Sequence, residues 1–327
     1  MVLGIMLGRL VPSLDDWLDH VKIGTVSLPI AIGLLVMMYP VLAKVKYSRI
    51  GEAFADRRAM AFAMLFNWFV GPIVMFTLAW VMLPDLPEYR TGLIIVGLAP
   101  CIAMVLIWNE LAGGDRELVA VLVAIDAIIQ VVAYALLGWF YLDVLPGWLG
   151  LETAHLDVTI WEIAKVVLFF LGIPLVAGFL TRTYGERAKG TAWYEDRFLP
   201  RIGPIALYGL LFTVVVLFAL QGHTISERPW DVARIALPLL AFFAIMWFGA
   251  FYLGRRMGFS YERTTTLAFT AASNNFELAI AVAIGVFGVT SGEALAGVVG
   301  PLIEVPALVG LVYVAMWARR RFFATTG

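Results

Sequence analysis

Cysteine is nearly absent from this sequence. Cys101 is the only one among 327 residues, which excludes an intrachain disulfide and any metal cage built from several thiolates. Histidine is almost as scarce: His20, His155 and His223 all fall in connecting segments, which argues against a buried histidine–metal site. Charged residues make up only 14% of the chain and sum to a net charge of −1, so no basic face points to nucleic acid. The opening MVLGIMLGRL lacks the positive n-region and cleavage site of a secretory signal. Neither GxSxG nor HExxH occurs, and no apolar run carries a histidine. The chain is therefore not expected to be an enzyme, and no cofactor is expected.

What is plentiful is apolar surface. Hydrophobic residues make up 62% of the chain, too many for the polar remainder to cover in water, so a bilayer is the expected solvent. A span needs about 20 apolar residues. Nine stretches meet that need: Ile23–Val45, Ala59–Leu83, Thr91–Trp108, Leu118–Leu142, Ile160–Leu180, Ile202–Leu220, Ile235–Gly254, Thr265–Phe287 and Ala294–Trp317. Val2–Val11 is half as long and is counted as a short first span, giving an all-α integral membrane protein of ten transmembrane helices.

Connecting segments alternate in charge. Lys44, Lys46, Arg49, Arg57 and Arg58 follow span two, Arg182, Arg187, Lys189, Arg197 and Arg201 follow span six, Arg255, Arg256 and Arg263 follow span eight, and Arg319, Arg320 and Arg321 end the chain. The segments between these hold few cations, which places both termini in the cytoplasm by the positive-inside rule. Halves 1–150 and 151–327 show weak internal likeness: SLPIAIGLLVM at Ser27–Met37 against IGPIALYGLLF at Ile202–Phe212, and Ile125-Asp126 against Ile303-Glu304. Two five-span halves insert with opposite orientations, the inverted-repeat plan of many secondary transporters.

Ionisable groups inside spans are functional candidates by default, because lipid solvates charge poorly. Counted from their segment ends at about 1.5 Å per residue, Cys101, Asp126, Asn274, Asn275, Glu277 and Glu304 all fall near the bilayer midplane, where transporter sites sit. Asn67, in NWFVGP, either faces the same cavity or bonds a neighbouring helix. Gln130, one turn after Asp126, shares its face. Pro100 directly precedes Cys101, removes a backbone donor and disfavours helix at Ala99. In AASNNFELA, Ser273, Asn274 and Asn275 suit a helix start, with Glu277 in its first turn. Spans four and nine are accordingly read as broken, with half-helix ends facing a cavity. Pro301 and Pro306 flank Glu304 and are read as further helix breaks. An enclosed carboxyl is costly to ionise, which suits Glu304 to load and release a proton as access alternates. Lys165 is expected to pair with Glu162 on the same helix face. Cys101 is either a small apolar filler or, as a soft thiolate, a ligand for a thiophilic centre.

The runs carrying these groups resemble the arsenite efflux permeases of the bile/arsenite/riboflavin transporter superfamily. The likeness rests on Thr25–Val45, NWFVGP at Asn67–Pro72, LAPCIAMVLIWNELAGGD at Leu98–Asp115, SNNFELAIAVAI at Ser273–Ile284 and GPLIEVPALV at Gly300–Val309. It implies ten helices in a core and a panel domain, crossed broken helices at spans four and nine, and arsenite export by proton antiport across the plasma membrane. It assigns arsenic(III) binding to Cys101, a functional carboxyl to Glu304, and the span-nine amides and acid to Asn274, Asn275 and Glu277. Antimonite is a further implied substrate. Two departures stand out: a shorter first helix, and AIDAIIQ at Ala124–Gln130 in place of an asparagine-aspartate pair. The competing reading within transporters is a sodium-coupled symporter for an organic anion. A membrane-embedded enzyme built on Asp126 and Glu304 is the remote one.

Overall fold

The apolar runs fold as helices because a chain in lipid must satisfy its own backbone N–H and C=O groups. The computed structural model describes residues 22–23, 26–47, 51, 56–151, 159–227 and 229–323. The expected first span, Val2–Val11, lies outside them. Lys22–Ile23 and Val26–Ser27 form a two-residue antiparallel hairpin (β1, β2). Helix α1 follows at Leu28–Ala43.

Six helices are long and apolar enough to cross a bilayer among the described residues: α2 (Arg57–Met82), α5 (Arg116–Trp148), α6 (Ile160–Lys189), α7 (Thr191–Leu220), α8 (Pro229–Arg256) and α11 (Gly292–Phe322). Two further segments are interrupted. Helix α3 (Pro87–Gly97) gives way to α4 (Met104–Leu111), and α9 (Tyr261–Ala272) to α10 (Phe276–Phe287). Large apolar side chains left bare on the outside, such as Phe69, Val81, Val132, Trp148 and Tyr313, form the surface expected to meet lipid.

Helix α1 packs on α6 and α7, and α11 packs on α3, α8 and α10. Small residues permit the closest approaches, as in membrane bundles generally. A Cβ at Gly209 of α7 would lie 3.0 Å from the backbone nitrogen of Met37 in α1. One placed on Gly300 of α11 would lie 1.8 Å from the Phe276 ring of α10.

Two expectations are corrected. Pro301 and Pro306 do not break span ten, since α11 runs unbroken from Gly292 to Phe322 with both prolines inside. Each proline removes one backbone bond, while the helix bonds on either side and the packing against three neighbours hold the turn. Glu162 and Lys165 do not pair. Glu162 closes a capping box with Thr159, and Lys165 Nζ lies 6.0 Å from the Trp161 ring centroid. The backbone N–H and hydroxyl of the N-cap residue Thr159 donate to the carboxylate in place of the ammonium one turn on.

Candidate functional site

Both interruptions fall where the sequence weakens the helix, and they meet. Proline at 100 and the Ser-Asn-Asn run at 273–275 leave several backbone groups without intrahelical partners. These groups satisfy one another. Cys101 N–H donates to the Ser273 carbonyl (2.9 Å) and Asn275 N–H to the Ala99 carbonyl (2.9 Å), forming an antiparallel bridge between Pro100 and Asn274. The two broken segments therefore cross backbone to backbone.

Side chains from α5 and α11 complete the crossing. Gln130 donates to the Pro100 carbonyl (2.7 Å) and accepts from Asn275 Nδ2 (2.7 Å). Asn275 Oδ1 also caps α10 by accepting from Leu278 N–H (3.0 Å), as its position before the apolar run suggests. Ser273 Oγ donates to Glu304 Oε1 at 2.5 Å, and the Asn274 backbone N–H serves the same carboxyl. Glu304 is wholly buried, and its Oε2 has no partner. The Cys101 thiol is 2% exposed, with Glu304 and Glu277 as its ionisable neighbours. The Asn274 side-chain Nδ2 and Glu277 Oε2 also lack partners. A buried polar atom left unpaired costs about 1–3 kcal/mol. Three such atoms lie on the crossing and its flanking α10 and α11, where a ligand or water would satisfy them.

The predicted residues do not all converge. Asn67 of α2 donates from Nδ2 to Oδ2 of Asp126 on α5 (3.1 Å), one turn before Gln130. Trp68 Nε1 donates to the other oxygen of Asp126 (2.8 Å). Consecutive residues of an α-helix point about 100° apart. Here the π turn Phe66–Val70 within α2 aims two neighbours at one carboxylate, a device common at functional sites. The sequence reading singled out neither Trp68 nor Ser273 as a site residue. Ser273 was legible from its place in the Ser-Asn-Asn run, whereas nothing in the sequence marks the π turn.

Cavities lie between the α1/α7 pair and helices α4, α10 and α11. One of about 350 Å3 is bordered by Lys44, just past α1, and by Glu110 of α4. A second, of about 220 Å3, lies beside Pro301 and Leu302 of α11. Met37, Met104 and Glu277 border both. Cys101 borders neither, whereas Glu277, one of its ionisable neighbours, borders both.

Residues 31–228 match the Sodium Bile acid symporter family. The chain is 54% identical over 323 residues to the arsenical-resistance protein Acr3 of Corynebacterium glutamicum, covering 99% of this chain and 87% of that protein. It is 31% identical over 332 residues to the Acr3 of Alkaliphilus metalliredigens, covering 98% and 90%. An uncharacterized transporter of Synechocystis is 36% identical over 343 residues, covering 98% and 87%.

Proposed function

The chain belongs to the Sodium Bile acid symporter family, as an arsenite-permease-type member and a membrane transporter rather than an enzyme, and on that premise we propose that it exports arsenite from the cytoplasm in exchange for protons. Arsenite at neutral pH is mostly an uncharged trihydroxide. The Cys101 thiol exchanges for one hydroxyl: the S–H and As–O bonds break, As–S forms, and the proton leaves with the hydroxide as water. No electron changes hands. One thiol holds arsenic reversibly where three would trap it. Asn274, Asn275 and Glu277 bond the remaining hydroxyls. Glu304 takes a proton from outside as arsenite leaves and yields it inside as the next one binds, and Asp126 with Asn67 serves as a second coupling carboxyl. Ten spans in two inverted halves, with the α1/α7 side rocking against the crossed helices, would alternate access, both termini being cytoplasmic. Antimonite, with the same valence and hydroxylation, follows the same route.

The observation that supports this reading is the crossing, which joins the backbone of Cys101 through Ser273 to the buried carboxyl of Glu304. An organic anion is less suited, because the cavity of about 220 Å3 is bordered by Glu277 and, among the described residues, by no lysine or arginine. The test is arsenite uptake into everted membrane vesicles under an imposed pH gradient, acid inside. Uptake by the parent and its loss in Cys101→Ala are expected. Equal uptake by Cys101→Ala refutes the thiol step, and sodium-driven uptake of an organic anion with no arsenite transport refutes the whole.

A further inference from the structure

The cavity of about 220 Å3 is walled by apolar side chains, among them Leu34 of α1, Leu217 and Phe218 of α7, Ile280 of α10 and Val298 of α11. Thr213 and Glu277 also border it but turn almost no polar surface toward it. The Thr213 hydroxyl is buried against Gly33, where an added Cβ would lie 2.6 Å from it, and Glu277 Oε2 is buried too. Water holds in a cavity only where two to four polar partners meet it, so this space does not favour water. Two of its bordering side chains also reach the outside of the bundle: Leu211 of α7 is 51% exposed and Val305 of α11 is 41% exposed. Leu211 stands nine residues into the apolar run Ile202–Leu220, and Val305 eleven into Ala294–Trp317. By helix rise both lie about halfway across the hydrocarbon. Val305 belongs to an exposed stripe of α11 that continues through Gly310, Tyr313 and Trp317, and Leu211 to one of α7 with Tyr208 and Phe212. The cavity is thus continuous with the surface expected to meet lipid tails.

We propose that this cavity is a lipid site: the end of a phospholipid acyl chain enters it from the bilayer core, between Leu211 and Val305, and lies against Leu217, Phe218, Ile280 and Val298. An empty apolar space forfeits the dispersion contacts of its lining. A hydrocarbon chain restores them and leaves no polar group of its own unsatisfied. Such chains adjoin the opening at this depth, whereas headgroups stay at the interface, about 15 Å away. The volume is several times the roughly 30 Å3 share of one water, and a methylene is of comparable size. There is room for a short run of methylenes, and none for a whole lipid. A seated chain end touches α1 and α7 on one side and α10 and α11 on the other, so it props the two pairs apart. The site does not depend on which solute the protein carries.

The experiment places the full chain in nanodiscs of phosphatidylcholine that carries a diazirine either at the end of one acyl chain or close to the glycerol. After irradiation, labelled residues are located by mass spectrometry, with exposed Tyr313 as the reference for ordinary lipid contact. The chain-end probe is expected to label the buried wall residues Leu217, Phe218 or Val298 as well as the exterior, and the glycerol-end probe to label none of the three. Leu302→Trp fills the cavity from its half-buried wall, and Val298→Phe fills it from the inside. Because packed interiors leave little spare room, each folded variant should lower buried-wall labelling about fivefold relative to Tyr313. Melting temperatures identify a variant that fails to fold, and the other then decides. A parent labelled at Tyr313 but at none of the three buried residues overturns the proposal. So does equal buried labelling by both probes, or parental buried labelling in the folded variants.

Discussion

Gly300→Ala is the sharpest probe of how the crossing is held. The added Cβ would lie 1.8 Å from Cε1 of Phe276 and 2.1 Å from its Cδ1. Carbon atoms pack at about 3.5–4.0 Å, so α11 or the ring must yield by nearly 2 Å. Phe276 is fully buried and opens α10 directly after the break, so it has nowhere to turn. Glu304 stands one turn beyond Gly300, and its bond to Ser273, now 2.5 Å, would stretch past the roughly 3.0 Å limit for O–H···O. Overpacking costs about 1–3 kcal/mol, and losing a bond to an ionisable group about 1.5–3. Alanine regains only about 1 kcal/mol of helix propensity over glycine. A net loss of about 1.5–5 kcal/mol follows, or on the order of 10 °C in the melting temperature of the detergent-purified protein. The control is the same change on a Phe276→Ala background. That background starts lower by about 3–5 kcal/mol, but there the new methyl fills vacated space and should cost under about 1 kcal/mol. Equal losses on both backgrounds would refute the packing argument.

Gln130→Leu should strand the Pro100 carbonyl and Asn275 Nδ2 together, destabilising the protein by about 2–5 kcal/mol. The crossing should then open more often, so alkylation of Cys101 by a membrane-permeant maleimide should speed up at least tenfold; an unchanged rate would show that Gln130 does not hold the crossing shut. At the opposite end from the basic segments, Arg234 hydrogen-bonds Asp85 and holds its carboxyl down to about 2. A lowered value means that any stabilisation from this pair is complete above the ordinary carboxylate range and is lost only as pH falls toward about 2. Asp85→Asn should therefore leave the pH profile of transport between 5 and 8 unmoved, and a shift of that profile would show that this loop takes part in coupling.

Much of the site could be read from residue order alone. Pro100 and the Ser-Asn-Asn run are local signals, because missing donors and capping side chains act within a turn of themselves, and both interruptions stand where they were expected. Position along a helix follows from residue number through the helix rise, but azimuth does not. Asn67 and Asp126 find each other instead of Cys101 because a π turn rotates part of α2, and a π turn leaves no compositional trace. Pro301 and Pro306 misled in the opposite direction: whether a proline ends a helix or merely bends it depends on neighbours that sequence does not place, here α3, α8 and α10.

The burial of Cys101 has a practical corollary. With one sulfhydryl in the whole polypeptide, and that one at the heart of the crossing, the unmodified protein is already a single-label specimen. A fluorophore, a spin label or a mass tag attached there reports from one known address, without the cysteine-free background that such measurements usually demand. The time course of tagging becomes a direct clock for how often the interior is laid open.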